Sequence, residues 1–373
     1  MKKVTILALH LNYGGIEKFI TNLANSISND YEVEIVSTYK FLDKPFFKLN
    51  DNITVKYLIT DLKPNKNLVK KYLKEHKFIK LFKEIIKSIK ILHYKKSRMI
   101  KYIKNCDSDI IISTRDIHNK WLGNYGHASI LKIGSEHNDS DSNKYIKTIS
   151  NTTKKLDYFV VVSKKMVEDY TKYLSIPVIY IPNSIEELPN KFSKHDTNNI
   201  ISVGRLESVK GFEDLIDIFK MIVLKNDNVF LNIVGDGTQY ELLENKINDL
   251  GLQANIKLLG YKNSTELSEL YNKSSIYVMT SFSESFGLVL LEAQSHKLPC
   301  IAFDSANGAK ELIHNGVDGY LIDNRNEEKM TSKILELINN KDKCKQLGEN
   351  ALDNSKNYLS KNIKRKWVDI FEK

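Results

Sequence analysis

Short apolar runs alternate with amphipathic stretches along nearly the whole chain, in two series separated by a polar linker. This alternation restricts the fold more than any other feature. A buried strand, a helix and a second strand form a βαβ unit, whose strands run parallel under helices on both faces. In the first series, residues 4–11, 32–38, 53–59, 110–113, 130–134 and 158–162 read as strands, and 16–27, 144–155 and 164–174 have helical spacing. Residues 177–182 are a short extended run between prolines, and 186–199 read as the linker. The second series opens at 200–204 and continues with strands at 229–234, 256–259, 275–279 and 300–303. Its helices start at Phe212, after Gly235-Asp236-Gly237, at Ser264, at Phe286 and at Gly308, and the tail from Glu327 is helical in pattern. The expectation is two doubly wound, Rossmann-like α/β domains. Ligands would then sit at the carboxyl ends of the strands, in the cleft that the domains face.

The chain's 373 residues are enough for two cores, and 42% hydrophobic with 27% charged residues is a soluble globular balance. Cys106, Cys300 and Cys344 have neither metal-ligand nor redox spacing, which points to a reduced, cytoplasmic setting. The opening MKKVTILALHLNYGG starts like a signal peptide, but its apolar run ends at His10 and no small-x-small site follows, so it reads as a first strand. No run approaches the length of a membrane-spanning helix. The net charge of +10 is concentrated: residues 63–104 hold fourteen Lys and one Arg against Glu75 and Glu84, leaving the rest slightly acidic. In this segment Leu73, Ile79, Phe82, Ile85, Ile86, Ile89 and Leu92 fit one helical face with lysines opposite. A solvated face and a contact with anionic lipid headgroups both fit this pattern. Nucleic acid is disfavoured, because stacking aromatics are few and no recognition motif is present.

Four stretches carry candidate chemistry. Residues 280–298, TSFSESFGLVLLEAQSHKL, read as loop then helix, with Glu284 in the loop and Glu292 about two turns into the helix. Gly287 interrupts the apolar run 286–291 and lets a ligand approach a helix start that favours anions. The alternative is an ordinary capped helix. In Gly204-Arg205-Leu206-Glu207-Ser208-Val209-Lys210-Gly211, Arg205 and Lys210 lie in a strand-to-helix loop. Cations at a helix start oppose its dipole, so this placement calls for an anion such as a diphosphate. Gly14-Gly15 is either a tight turn or a backbone approach to a phosphate or sugar. His137, in Ser135-Glu136-His137-Asn138, is either solvated or poised on a hydroxyl. The tripeptides Asp107-Ser-Asp109 and Asp139-Ser-Asp141 are discounted as metal sites. The first precedes its strand, and the second reads as helix capping.

Taken in order, Gly14-Gly15, Arg205 with Lys210, and Glu284 with seven residues to Glu292, on two doubly wound halves, resemble the family 4 retaining glycosyltransferases of the GT-B fold. The likeness spans nearly the whole chain and is densest over 203–322. The opening ALHLNYGGIEK and the later FDSANGAKELI and NGVDGYLI resemble bacterial capsule and cell-surface polysaccharide transferases of that family. The resemblance implies that Arg205 and Lys210 bind the donor diphosphate and Glu284 the transferred sugar. It assigns sugar and phosphate contacts to the backbone N–H groups of Phe286, Gly287 and Leu288, and the ribose to Glu292. It places Gly15 at the diphosphate, His137 on the acceptor side, and Gly235 and Asp236 near the nucleotide. It implies no metal and no cofactor beyond the nucleotide-sugar co-substrate. The family's Gly-Gly-x-Pro-Glu is replaced here by Asn307-Gly308-Ala309-Lys310-Glu311, which leaves the sugar open.

The expected layout is an acceptor-binding domain over 1–185, a nucleotide-sugar-binding domain over 198–355 and a C-terminal helix over 356–373 that crosses back. The expected reaction moves a hexose from a nucleotide sugar, a UDP-sugar by resemblance, to a hydroxyl of a lipid-linked glycan with retained configuration. The leaving phosphate would take the acceptor's proton on the same face, so the carboxylate-pair rule of glycosidases does not transfer. The enzyme would be cytoplasmic and peripheral on the inner membrane face, held through 63–104. A sugar-nucleotide epimerase and a non-enzymatic anionic-membrane-binding protein are the rival readings. An epimerase makes a new nucleotide sugar without an acceptor, and an adaptor binds vesicles without binding UDP-sugars.

Overall fold

The computed structural model describes residues 1–61, 66–138 and 143–373. The chain divides into two compact units. One comprises Met1–Val161, Met166–Ile181 and Lys364–Lys373; the other comprises Val162–Lys165 and Pro182–Ile363.

The first unit is built on seven parallel strands: β1 (Lys3–Ala8), β2 (Glu32–Tyr39), β3 (Thr54–Ile59), β4 (Ile110–Ser113), β5 (Leu131–Glu136), β6 (Tyr158–Val161) and β7 (Val178–Tyr180). Their order is β3-β2-β1-β4-β5-β6-β7. Ile6 of β1 lies between Ile35 of β2 and Ile112 of β4. Ile110, Ile111 and Ile112 are all buried, as expected where helices cover both faces. Each such side chain contributes about 1.5–3 kcal/mol by leaving water. Helix Gly15–Ile27 turns Phe19, Ile20, Leu23, Ala24 and Ile27 inward, the face its periodicity predicts. Residues 364–373 complete this core: Trp367 packs 6.0 Å from Phe19 and Phe371 5.4 Å from Tyr31, ring centre to ring centre.

The second unit has six parallel strands: β8 (Asn199–Val203), β9 (Phe230–Val234), β10 (Ile256–Leu258), β11 (Ile276–Met279), β12 (Cys300–Phe303) and β13 (Gly319–Ile322). Their order is β10-β9-β8-β11-β12-β13. In both units the order runs outward from the first strand and then restarts on its other side. The reversal falls between β1 and β4 in one unit and between β8 and β11 in the other. Loops diverge at such a point and leave room for a ligand at the strand ends.

Several elements differ from the sequence expectation. β1 stops at Ala8, and residues 9–14 form the loop into the first helix. Helix Asp116–Tyr125 carries too few apolar residues to stand out by periodicity, and strand β13 is only four residues long. The linker 186–198 is packed in place: buried Ser193 donates to the Ser274 carbonyl at 2.5 Å. Residues 66–105 form two helices, Lys66–Lys74 and Phe78–Asn105, broken where His76 takes φ 53°. Of residues 63–104, Lys63 to Asn65 lie outside the described residues, as do Asp139 and Asp141. Among the described residues, no helix is long and apolar enough to cross a membrane.

Candidate active site

The loops after β8 and β11 carry the candidate residues of the second unit, and hydrogen bonds join them. The Phe282 N–H donates to the Val209 carbonyl at 2.8 Å, and the Thr280 hydroxyl donates to the Gly211 carbonyl at 2.8 Å. The short 3-10 turn Ser208–Lys210 is thereby held against the start of the next loop. The Lys210 ammonium then reaches the Glu284 carboxylate and pairs with it, although the two lie 74 residues apart. Their side chains are only 18% and 19% exposed. A charge-assisted bond is stronger where water is partly excluded, and either charge left alone there would be costly. Arg205 is exposed and makes no ion pair among the described residues. Its neighbour Glu207 accepts from the Thr238 hydroxyl at 2.8 Å. Bonds from Thr238, with the Arg205 charge adding, hold the Glu207 carboxyl below its ordinary range.

The anion-favouring helix starts at Leu288, two residues later than its apolar run predicts, because Gly287 takes φ 88° and ψ 60°. A side chain is disfavoured in that left-handed conformation. The later start moves Glu292 to little more than one turn into the helix, instead of two. The first N–H groups of this turn have no intrahelical acceptor, which suits an anion. Glu292 is half-buried beside Tyr271, whose phenol is pushed up by burial first and then by that carboxylate. Tyr277 on β11 is likewise pushed up by burial, with both Glu284 and Glu292 adding to it. The two carboxylates of the eight-residue spacing therefore lie around one strand.

Helix Asn307–Leu312 supports this loop from beneath. The Gly308 N–H donates to the Glu284 carbonyl at 2.7 Å. A β-carbon at Gly308 would sit 2.4 Å from the carbonyl carbon and oxygen of Phe286, so no side chain fits. Phe286 is itself buried, with its ring 5.7 Å from that of Tyr358. The loop after β9 joins the same system, since the Leu206 N–H donates to the Asp236 carbonyl at 3.0 Å. The Gly235 N–H donates to the Gly260 carbonyl at 2.9 Å, and the exposed Asp236 carboxylate accepts from the Gly237 N–H at 2.8 Å.

Arg325, which sequence reasoning missed, anchors the loop after β11. It pairs with Asp214 at 2.5 Å and donates to the Thr280 carbonyl at 2.9 Å, the Ser281 carbonyl at 3.2 Å and the Ser305 hydroxyl at 3.0 Å. Its guanidinium also lies 3.7 Å from the Phe282 ring centre and 4.4 Å from that of Phe303. No local sequence pattern marks it; in the structure Asn324 and Arg325 both take positive φ.

In the first unit, Gly15 is exposed, and a β-carbon there would meet nothing within 4 Å. His137 lies at the end of β5, with Nε2 2.9 Å from the Ser135 hydroxyl and its ring 4.1 Å from Phe19. Burial first, then the Arg115 charge, pushes its imidazole down to about 3, so it is neutral near pH 7. Glu136 beside it is buried and accepts from Tyr145 at 2.7 Å and from two backbone N–H groups. Burial raises its pKa against those bonds. Buried Glu17 pairs with Arg115 at 3.3 Å and lies 3.3 Å from His10. No pattern in the sequence marked Glu17 or Arg115. Asp107 and Asp109 both hold the start of β1. Asp107 pairs with the Lys3 ammonium at 2.7 Å, and Asp109 accepts the Lys3 N–H at 2.7 Å. Among the described residues no three His, Cys, Asp or Glu side chains are grouped to hold a metal ion.

Two doubly wound units, one with cations and carboxylates gathered at its strand reversal, define a class of fold. It is that of the GT-B glycosyltransferases. A mutant of S. aureus TarM, solved in complex with fondaparinux, α-GlcNAc-glycerol and UDP, superposes with a TM-score of 0.79 at 18% identity and full coverage of both chains. Residues 184–353 match the model for glycosyl transferases group 1. The amylovoran biosynthesis glycosyltransferase AmsD of Erwinia amylovora is 32% identical over 242 residues, covering 60% of this chain and 67% of that one. An uncharacterised glycosyltransferase of Haemophilus influenzae is 27% identical over 380 residues, covering 99% and 100%. The chain belongs to the group 1 glycosyl transferases.

Proposed function

We propose that the chain is a retaining, metal-independent hexosyltransferase of family 4. Its donor is a UDP-sugar, and its acceptor is a hydroxyl of a lipid-linked glycan in cell-surface polysaccharide synthesis. The observation that carries the reading is the Lys210–Glu284 ion pair, set between the loops that follow β8 and β11. In the resting enzyme Glu284 holds the ammonium in place. When the donor diphosphate arrives, Lys210 and the exposed Arg205 meet the charge that develops on the leaving group. Fixed charges and dipoles of this kind commonly account for more of the rate enhancement than any other single effect. Glu284 is then released to the hydroxyls of the transferred sugar, the N–H groups at Phe286, Gly287 and Leu288 meet sugar and phosphate, and Glu292 meets the ribose. Gly235 and Asp236 border the nucleotide, while Gly15 and the neutral His137 belong to the diphosphate and acceptor sides.

The relatives support the finer points. TarM binds UDP together with an α-glycoside. With an α-linked nucleotide sugar as donor, a product linked in the same way would mean retention, for which the leaving phosphate can take the acceptor's proton. AmsD acts in amylovoran biosynthesis. The basic helices support a cytoplasmic enzyme held at the inner membrane face.

A thermal-shift screen across nucleotides and nucleotide sugars identifies the donor, because a ligand bound to the native state raises the midpoint. With that donor, Lys210→Ala lowers turnover on the order of 100- to 1,000-fold and Arg205→Ala lowers it in the same direction, with circular dichroism unchanged. Near wild-type turnover in both variants refutes the assignment.

A further inference from the structure

Helix Phe78–Asn105 is rooted at one end only. Ile91, Met99, Tyr102 and Ile103 are its buried residues, all from its midpoint onward. From its start to its middle it carries a stripe left exposed among the described residues: Phe78 (66% exposed), Ile79 (77%), Phe82 (64%), Ile85 (41%), Ile86 (39%), Ile89 (60%) and Leu92 (64%). At about 100° per residue these seven fall in one sector about 140° wide. Periodicity in the sequence places most of them on a single helical face but does not say what that face meets. Exposed Leu73 on helix Lys66–Lys74 adds an eighth apolar side chain. Lys83 and Lys90 border one edge of the sector, with Lys80 and Lys87 behind them. Lys80, Lys83 and Lys90 are exposed and have no ion-pair partner among the described residues, whereas Lys87 pairs with Glu84 at 3.3 Å.

We propose that this stripe inserts into the interfacial layer of an anionic bilayer while the bordering lysines sit on lipid phosphates. The proposal deepens the membrane contact inferred above and rests on it. A lysine-only contact would leave the apolar side chains in water. Insertion covers the whole stripe and uses both faces of one amphipathic helix, as interfacial helices do. Charge argues for lipid over a second copy of the chain. Two stripes packed together would bring two lysine bands side by side, whereas anionic headgroups match them. Contiguous apolar patches of this kind on a folded surface mark an interaction site.

The test is flotation of the full chain with vesicles of equimolar phosphatidylglycerol and phosphatidylcholine, and with phosphatidylcholine alone. Each is run at about 0.1 and 0.5 M NaCl, where screening lengths differ about twofold. Three proteins are compared: wild type, Phe82→Ser/Ile86→Ser/Ile89→Ser and Lys80→Gln/Lys83→Gln/Lys90→Gln. Insertion predicts that the wild type binds the mixed vesicles and keeps part of that binding at the higher salt. It predicts that the serine variant binds at least tenfold more weakly, with UDP binding unchanged. It also predicts that Phe82→Trp shifts its emission to the blue on the mixed vesicles and is quenched by brominated acyl chains. If the serine variant binds as the wild type does while the glutamine variant does not, headgroup electrostatics alone suffices and insertion is wrong, although the membrane contact stands. If neither vesicle binds the wild type, the membrane contact itself fails. If the wild type is a dimer that the serine substitutions dissociate, the stripe is a subunit interface and the proposal is overturned.

Discussion

Arg325→Ala removes a side chain that touches no proposed ligand, and its effect can be worked from its contacts. The guanidinium is 21% exposed and its partner Asp214 29% exposed. Truncation leaves Asp214 without its cation and the Thr280 carbonyl without this donor, leaves the Ser281 carbonyl only the Ser305 hydroxyl, and unstacks Phe282 and Phe303. Breaking a buried pair costs about 3–5 kcal/mol, and these contributions do not add. Partial exposure puts this site at the low end, about 3 kcal/mol. For a unit of this size that lowers the thermal midpoint by about 6–12 °C. Differential scanning calorimetry with and without UDP is the assay. The stabilisation given by UDP also falls, because the loop held by Arg325 is the one hydrogen-bonded to the turn that carries Lys210. Arg325→Lys keeps the charge but loses the fork and the stacking, so it lies between. A midpoint for Arg325→Ala within about 1 °C of wild type, with the UDP effect intact, refutes the anchoring role.

Gly308→Ala forces a β-carbon to 2.4 Å from the Phe286 backbone, so it displaces the sugar-side loop. It costs about 1–3 kcal/mol of stability and weakens UDP binding; an unchanged titration contradicts this. Burial pushes His118 down to about 3 from 6.5. Between those values the unfolded chain binds the extra proton, so stability is full above pH 6.5 and falls as the pH drops through the window. His118→Gln removes about 1.4 kcal/mol per pH unit from that slope in urea titrations, and an unaltered slope rules out a neutral buried His118. Finally, EDTA leaves transferase activity unchanged, measured as UDP release, and a loss restored by divalent cation would overturn metal independence.

The double α/β series was legible because parallel strands are buried on both faces and read as unbroken apolar runs, as in Ile110–Ser113. The Glu284 and Glu292 spacing was legible as well, though not its phase in the helix. That phase depends on Gly287, where a positive φ delays the start by two residues. Arg325 was invisible because its partners Thr280 and Asp214 lie 45 and 111 residues away, and no local pattern encodes such distances. Periodicity found the apolar side of Phe78–Asn105, but it detects a face without saying what the face meets. Strand order was beyond reach for the same reason. It follows from which strands pair, as when β11 returns to lie beside β8.

The first unit receives its last ten residues late. Lys364–Lys373 belong to it, yet the 182 residues Pro182–Ile363 intervene. At ribosomal speed they follow the rest of the unit by about 10–40 s. Until then the places of Trp367, Ile370 and Phe371 are empty, and Phe19 and Tyr31 lack their aromatic neighbours. The first unit therefore completes its core only after residues 182–363 have been made. A nascent chain stalled inside the second unit would expose this unfilled core to chaperones and proteases.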